Sequence, residues 1–223
     1  NEWLDRLSQV KVDSMYISQH KDKPKSSPNQ KTITFRESNI HDFAWFADKN
    51  WVVRKDTVMQ PDGSGIVTAY SAFYPKHYDA WKNSVNSIKK TIRGYGSKVG
   101  IYPYETVKVV EGSLKAGGGM EYPTVTVIEA SNNANTVDKV IVHEVGHNWF
   151  YGILGSNERD YPWMDEGINS FYEGKFTGAG NRLQIFDKMD ENNMAYTALG
   201  ASRKLYPATM KSTMYPTINY GVD

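Results

Sequence analysis

The sequence contains no cysteine among its 223 residues. Disulfide bonds, thiolate metal ligands and a cysteine nucleophile are therefore excluded, and the redox state of the compartment is left open. No apolar stretch approaches the roughly 18 residues needed to cross a bilayer, and the first residues do not resemble a secretory signal peptide. We expect a soluble protein without a membrane span, for which periplasmic, extracellular and cytoplasmic locations all stay open.

An excess of charge of one sign is also missing, because 26 basic residues stand against 25 acidic residues. This balance gives no electrostatic reason to expect nucleic acid or an anionic membrane as a partner. Hydrophobic residues make up 39% of the chain, enough for a sizeable core. The chain begins without Met, from which we expect a processed form or a part of a longer gene product.

Strand-like patterns dominate the first half of the chain and helical patterns the second. An Asp62-Gly63 turn signal between two apolar runs predicts a hairpin over residues 57–74. Apolar residues at spacings of three and four predict a helix from Tyr78 to Tyr95, ended by glycines. The other predicted elements are strands at 11–19, 31–38, 106–112 and 122–130 and helices from Thr136 (capped by Asn135), from Pro162 and over 182–193. Strands followed by helices predict an α+β protein in two lobes, with a site in the groove between them.

The segment HEVGH, residues 143–147, carries the strongest chemical signal. Two histidines four residues apart emerge from one face of a helix, so His143 and His147 can reach one tetrahedral ion. Glu144 can then take a proton from the metal-bound water as general base. The surrounding residues 137–152 are apolar almost all round, so solvent-facing histidines on an amphipathic helix are the weaker explanation.

A third ligand is predicted at Glu166, which follows His147 after 18 intervening residues in the segment WMDEG. Three protein ligands and one water form the open coordination of a catalytic zinc, whereas a structural site closes all four positions. We therefore predict one Zn²⁺ per chain, held by His143, His147 and Glu166.

These motifs resemble those of the gluzincin metallopeptidases of the aminopeptidase N type. Residues 143–152 match the HExxH motif with its following Trp, WMDEG resembles W-x-N-E-G, and GGMEY at residues 118–122 resembles G-x-M-E-N. The three motifs cover roughly residues 100–175. The resemblance implies a thermolysin-like catalytic domain over residues 56–223, with a β-rich N-terminal lobe and a helical C-terminal lobe. It also implies that residues 1–55 are the end of an N-terminal β domain.

The resemblance implies a zinc peptidase that releases N-terminal residues from peptide or protein substrates. Glu121 would grip the free α-amine, and Gly118, Gly119 and Met120 would line the substrate path through backbone contacts. An endopeptidase with the same zinc site and a non-catalytic peptide-binding relative stay open as alternatives. Side-chain preference and oligomeric state do not follow from the sequence.

The sequence departs from the family pattern at three places. Tyr122 and Asp165 each stand where the family has Asn, which puts the shape of the substrate groove in doubt but leaves the zinc ligands intact. The family's oxyanion-stabilising Tyr belongs to a Y-x-K-G segment, and neither Tyr215 nor Tyr220 is followed by Lys-Gly. We expect that tyrosine beyond the end of this chain.

We predict no catalytic or metal-binding role for residues outside these motifs. His20, His41 and His77 have no ligand-spaced partner and are expected at the surface or at helix caps. The aromatic segment at residues 42–51 is expected to pack between the N-terminal residues and the catalytic lobe.

Overall fold

The computed structural model describes residues 25–114 and 117–177 together with residues 9 and 211. The chain divides into two compact units, Asn1–Asn148 and Trp149–Asp223. The strand predicted at 11–19 and the helix predicted at 182–193 lie outside the described residues. Among the residues that are described, no helix is both long and apolar enough to cross a membrane.

The first unit is built on a mixed sheet of five strands in the order β1-β2-β3-β5-β4. Strands β2, β3 and β5 run parallel, while β1 pairs with β2 and β4 pairs with β5 in the antiparallel sense. The strands are β1 Val52–Met59, β2 Ile66–Phe73, β3 Thr106–Gly112, β4 Gly119–Met120 and β5 Val125–Glu129. The predicted hairpin and the strands predicted at 106–112 and 122–130 are thereby confirmed.

The hairpin turn between β1 and β2 follows from the turn residues. Gly63 takes a φ of +75°, a conformation that favours glycine, and its amide donates to the Gln60 carbonyl over 3.0 Å. The Asp62 side chain accepts from the Ser64 amide at 2.9 Å. Backbone and side chain therefore close the turn together.

Three helices belong to the first unit: α1 Tyr78–Trp81, α2 Ser84–Lys98 and α3 Ala134–Gly146. The helix predicted from Tyr78 to Tyr95 is divided into α1 and α2, and it continues to Lys98 instead of ending at the glycines. Helix α3 begins two residues earlier than predicted. Its cap is Asn133 rather than Asn135, because the Asn133 side chain accepts from the Thr136 amide at 3.1 Å.

Both faces of the sheet bury apolar side chains. Helices α2 and α3 pack on one face and contact each other. The opposite face carries a cluster consisting of Val53, Tyr70, Ala72, Val110 and Val127, with partly buried aromatic residues packed against it. The sheet is thus the central layer of this unit, with the helices on one side of it.

The aromatic segment at residues 42–51 contributes only part of its side chains to this core. Phe46 and Trp51 pack against the cluster, whereas Phe43 and Trp45 are 65% and 71% exposed. The strand predicted at residues 31–38 is wrong, since none of the five strands includes these residues. Alternating polarity identifies a two-sided segment, but a strand also needs a neighbouring backbone to pair with.

His77 occupies the N-cap position of α1, one of its two expected places, but it is buried rather than at the surface, and its side chain makes no capping hydrogen bond. Its Nδ1 atom contacts the carboxylate of Glu111, a fully buried residue of β3. The other oxygen of Glu111 accepts from the Tyr74 amide at 2.8 Å. These partners satisfy a carboxylate that would otherwise be costly to bury.

The Tyr74 side chain extends this polar cluster. Its hydroxyl donates to Asp48 Oδ2 over 2.8 Å. Burial, together with that hydrogen bond, raises the pKa of Tyr74 to about 12. The hydroxyl therefore stays protonated and remains a donor at neutral pH.

In the second unit, helix α4 covers Glu166–Thr177. A π-helical turn, Asn148–Ile153, leads into this unit and is interrupted at Phe150 and Tyr151. The helix predicted from Pro162 is instead a 3-10 turn, Pro162–Met164, followed by α4. The Asp165 amide bonds back to the Pro162 carbonyl over 3.1 Å, which closes the tighter turn before α4 begins.

Lys108 of β3 is largely buried on the face of the sheet opposite the helices. Its ammonium donates to Thr106 Oγ1 over 2.6 Å. Burial lowers the pKa of Lys108 to about 8, and the nearby Glu37 offsets part of that shift. The charged form of this side chain therefore opposes folding.

We predict that Lys108→Met stabilises the protein at pH 7 by about 2 kcal/mol, because the variant no longer buries an ammonium. The folded pKa lies below the unfolded value, so the unfolded chain binds more protons between these two values. The gain should therefore be full below pH 8 and shrink as the pH rises toward about 10.5. Urea unfolding across this range measures it.

The exposed Lys98→Met is the matched control for removing a solvated charge. A gain for Lys108→Met that stays constant from pH 7 to the upper end of the range would contradict the burial of a charged Lys108.

Candidate metal centre

Helix α3 brings the two predicted histidine ligands together. His143 is half-buried, and His147 follows one turn later and is fully buried. Their Nε2 atoms lie 3.2 Å apart, and the two ring planes are nearly perpendicular at 86°. Both ring nitrogens therefore converge on one point beside the helix.

This geometry fits zinc. Two nitrogen ligands at about 2.0–2.1 Å from a tetrahedral ion lie about 3.3 Å from each other. The observed separation of 3.2 Å agrees with that value. Imidazole nitrogens are ligands of Zn²⁺ and also of Cu, Fe and Ni, so the donor type is compatible with zinc without selecting it, and zinc at this site stays a prediction.

Glu144 follows His143 directly in the sequence, and only 6% of it is exposed to solvent. Its side chain faces Gly119 of β4 so closely that a Cβ atom on Gly119 would come within 2.6 Å of Glu144 Cγ and nearer still to its carboxyl carbon. Real Cβ contacts are essentially never this short. The absence of a side chain at position 119 is thus what leaves room for the Glu144 side chain against the strand.

Strand β4 presents the GGMEY segment at the edge of the sheet. It pairs with β5 on one side, and within the described residues no strand pairs with its other side. Met120 packs against the cluster on the face opposite the helices, while Gly119 faces Glu144. Glu121 directly follows the strand, is only 7% exposed, and places a carboxylate oxygen within 4.8 Å of a ring nitrogen of His147.

The loop before β4 is held at both ends by Glu129. Its carboxylate accepts from the Leu114 amide, and its own amide donates to the Gly118 carbonyl over 2.9 Å. Gly118 takes a φ of +70°, which favours glycine. The start of the GGMEY segment is therefore set by β5 and by the conformation of this glycine.

Glu166, the predicted third ligand, is the first residue of α4 in the second unit. Asp165, one of the departures from the family pattern, is buried just before it. Glu166 as a zinc ligand remains a prediction. Tyr122, the other departure, packs its ring against Phe46 with ring centroids 6.1 Å apart. Tyr215 and Tyr220 lie outside the described residues.

Sequence reasoning missed two polar residues of the first unit. Asn148, which follows His147 directly, is 1% exposed and hydrogen-bonded to three elements. Glu111 is a fully buried acid that follows the buried Val109 and Val110 in β3. In both cases the available signal was a polar residue inside an apolar run, which requires a partner when it is buried.

No family model matches this chain. Among curated proteins, it is similar to Aminopeptidase 2 of Candida albicans, with 29% identity over 97 residues that cover 38% of this chain and 10% of that protein. Among solved structures, it is similar to an M1 zinc metallopeptidase from Deinococcus radiodurans, with a TM-score of 0.51, 17% identity and coverage of 72% of this chain and 35% of that one. A mutant of that metallopeptidase gives a TM-score of 0.52 at the same identity and coverage.

These likenesses show the fold. The mixed sheet with its helices corresponds to part of an M1 zinc metallopeptidase structure, and the chain spans about a third of that solved protein, 35% of its length. The prediction of a fold that combines a β-sheet with helices is confirmed. The two-lobed arrangement and the division at residue 55 remain predictions.

We predict that Gly119→Ala destabilises the first unit by about 1–3 kcal/mol, because the added methyl group overlaps the Glu144 side chain. The cost should disappear in a Glu144→Ala background, where the overlapping atoms are gone. A double-mutant cycle of unfolding free energies measures this coupling. Gly65→Ala is the control, since a Cβ atom there meets nothing within 4 Å. Equal costs in both backgrounds would contradict the close approach.

Proposed function

We propose that this chain carries the active site of a zinc-dependent aminopeptidase, which hydrolyses the first peptide bond of its substrates. The observation that carries the proposal is the convergence of the His143 and His147 Nε2 atoms to 3.2 Å, with the side chain of Glu144 on the same helix buried. The similarity in fold to an M1 zinc metallopeptidase and in sequence to an aminopeptidase supports it.

The proposed metal site contains one Zn²⁺ held by His143, His147 and Glu166. Glu166 supplies a carboxylate, the third ligand type common in catalytic zinc sites. When bound, the ion would polarise the scissile carbonyl and acidify a water molecule. The ligand set leaves one position for that water, as hydrolysis requires.

Glu144 is proposed as general base and then general acid. Its carboxylate removes a proton from the attacking water and delivers that proton to the departing amine. Burial of Glu144 excludes bulk water from the proton transfer. The short approach to Gly119 places the Glu144 carboxylate against strand β4 and restricts where it can lie.

The edge strand β4 is proposed to bind the peptide. An unpaired strand edge can accept an extended peptide through backbone hydrogen bonds, which is the proposed role of Gly118, Gly119 and Met120. Glu121 follows the strand, is nearly buried and lies within 4.8 Å of His147, so its carboxylate is suited to pair with a free α-amine. That pairing would make the protein an aminopeptidase rather than an endopeptidase.

We predict that Glu144→Gln leaves the zinc content unchanged and lowers kcat by about 10²–10⁴-fold, because the amide cannot take up the proton. Glu166→Gln should instead lower the zinc affinity, because it removes a charged ligand. Metal analysis and steady-state kinetics on the purified protein separate the two effects.

The exposed Glu105→Gln serves as the control for both variants. Substantial turnover by Glu144→Gln would rule out Glu144 as the base. Unchanged zinc affinity in Glu166→Gln would rule out that residue as a ligand.

We predict that the protein cleaves aminoacyl reporter peptides with a free amine and not their N-acetylated forms. Glu121→Gln should raise KM for the free-amine reporter by about 10–100-fold with zinc retained, since an ion pair to the amine is lost. Efficient cleavage of acetylated peptides would establish an endopeptidase. Zinc and peptide binding without any turnover would establish a non-catalytic relative.

A further inference from the structure

Asn148 lies at the end of the metal-binding helix and joins it to distant parts of the first unit. Its Nδ2 donates to the Val145 carbonyl over 2.9 Å, so it satisfies an acceptor in the last turn of α3. Its Oδ1 accepts from the Thr124 amide over 2.9 Å and from the Tyr102 hydroxyl over 3.4 Å. The reverse orientation of the amide would oppose donor to donor and acceptor to acceptor.

The bond to Thr124 acts on a strained position. Thr124 lies in the connection between β4 and β5 and has a φ of +65°, a conformation that is unfavourable for a β-branched residue. Its amide is held by Asn148, and its carbonyl accepts from the Lys108 amide of β3 over 2.9 Å. The strained turn is therefore fixed from the helix on one side and from the sheet on the other.

This turn sets where the proposed substrate-binding residues lie. Thr124 is three residues after Glu121, and the turn is closed by the Val125 amide, which donates to the Tyr122 carbonyl over 3.0 Å. A change of conformation at Thr124 would rotate the chain that leads back to Glu121. His143 is held differently, since it lies within the hydrogen-bonded turns of α3, and His147 is the C-cap residue of that helix.

We propose that Asn148 is a positioning residue, which fixes the β4–β5 connection and thereby the carboxylate of Glu121 relative to the metal-binding end of α3. The inference rests on the proposed function, because it assigns a substrate-selecting consequence to this contact. It adds a residue that touches neither the metal nor the substrate.

The test compares Asn148→Ala with Asn133→Ala, which removes the same side chain from the other end of the same helix. Asn148→Ala should retain zinc, raise KM for free-amine reporters on the order of tenfold and weaken the preference over acetylated reporters. Asn133→Ala should lower thermal stability and leave KM unchanged. Adding Thr124→Gly to Asn148→Ala should lower KM part of the way back to the value of the unmodified protein, because glycine takes a positive φ without strain.

Hydrogen exchange of the peptides that cover residues 117–129 gives a second readout that needs no activity. Exchange should be faster in Asn148→Ala and unchanged in Asn133→Ala. Loss of zinc from Asn148→Ala, an unchanged KM in that variant, or the same KM change in both variants would overturn the inference. Unchanged hydrogen exchange in Asn148→Ala would overturn the inference even if the protein is inactive. If the unmodified protein shows no turnover but exchange is faster in Asn148→Ala, only the proposed function and its substrate-selecting consequence are overturned.

Discussion

The approach of helix α3 to the edge strand β4 is the contact on which the candidate site depends. Glu144 can lie against the strand only because Gly119 has no side chain. His143 belongs to that helix and His147 caps its C-terminal end, so movement of the helix that displaced Glu144 would move both histidines as well. Protein interiors are close-packed, and a single methyl group at this point therefore affects the strand, the base and the histidine pair together.

Buried polar groups hold the same unit together at several points. The Glu111 carboxylate contacts His77 and accepts from the backbone amide of Tyr74. The Asn148 side-chain amide bonds to the Val145 carbonyl in the last turn of α3 and to the backbone amide of Thr124 in the β4–β5 connection. The Glu111 and Asn148 side chains each meet complementary donors or acceptors, which offset their loss of hydration. Lys108 is the contrast, because a single hydroxyl is its hydrogen-bond partner and its pKa is lowered.

Local patterns predicted much of the first unit. The Asp62-Gly63 turn, the parallel strands β3 and β5 and the helix that carries HEVGH all agree with the sequence interpretation. The errors are those that local patterns cannot avoid. Residues 31–38 alternate like a strand without joining the sheet. The N-cap of α3 is Asn133 and not Asn135, and residue type alone cannot choose between them, because asparagine suits an N-cap at either position.

The sequence by itself determined the histidine pair, because a spacing of four residues on a helix brings two side chains to one face wherever that helix lies. The tertiary structure decided which partners these residues have. Gly119 meets Glu144, Thr124 meets Asn148 and Glu111 meets His77 across separations of more than twenty residues. Such contacts follow from how the helices pack on the sheet, which no local periodicity encodes.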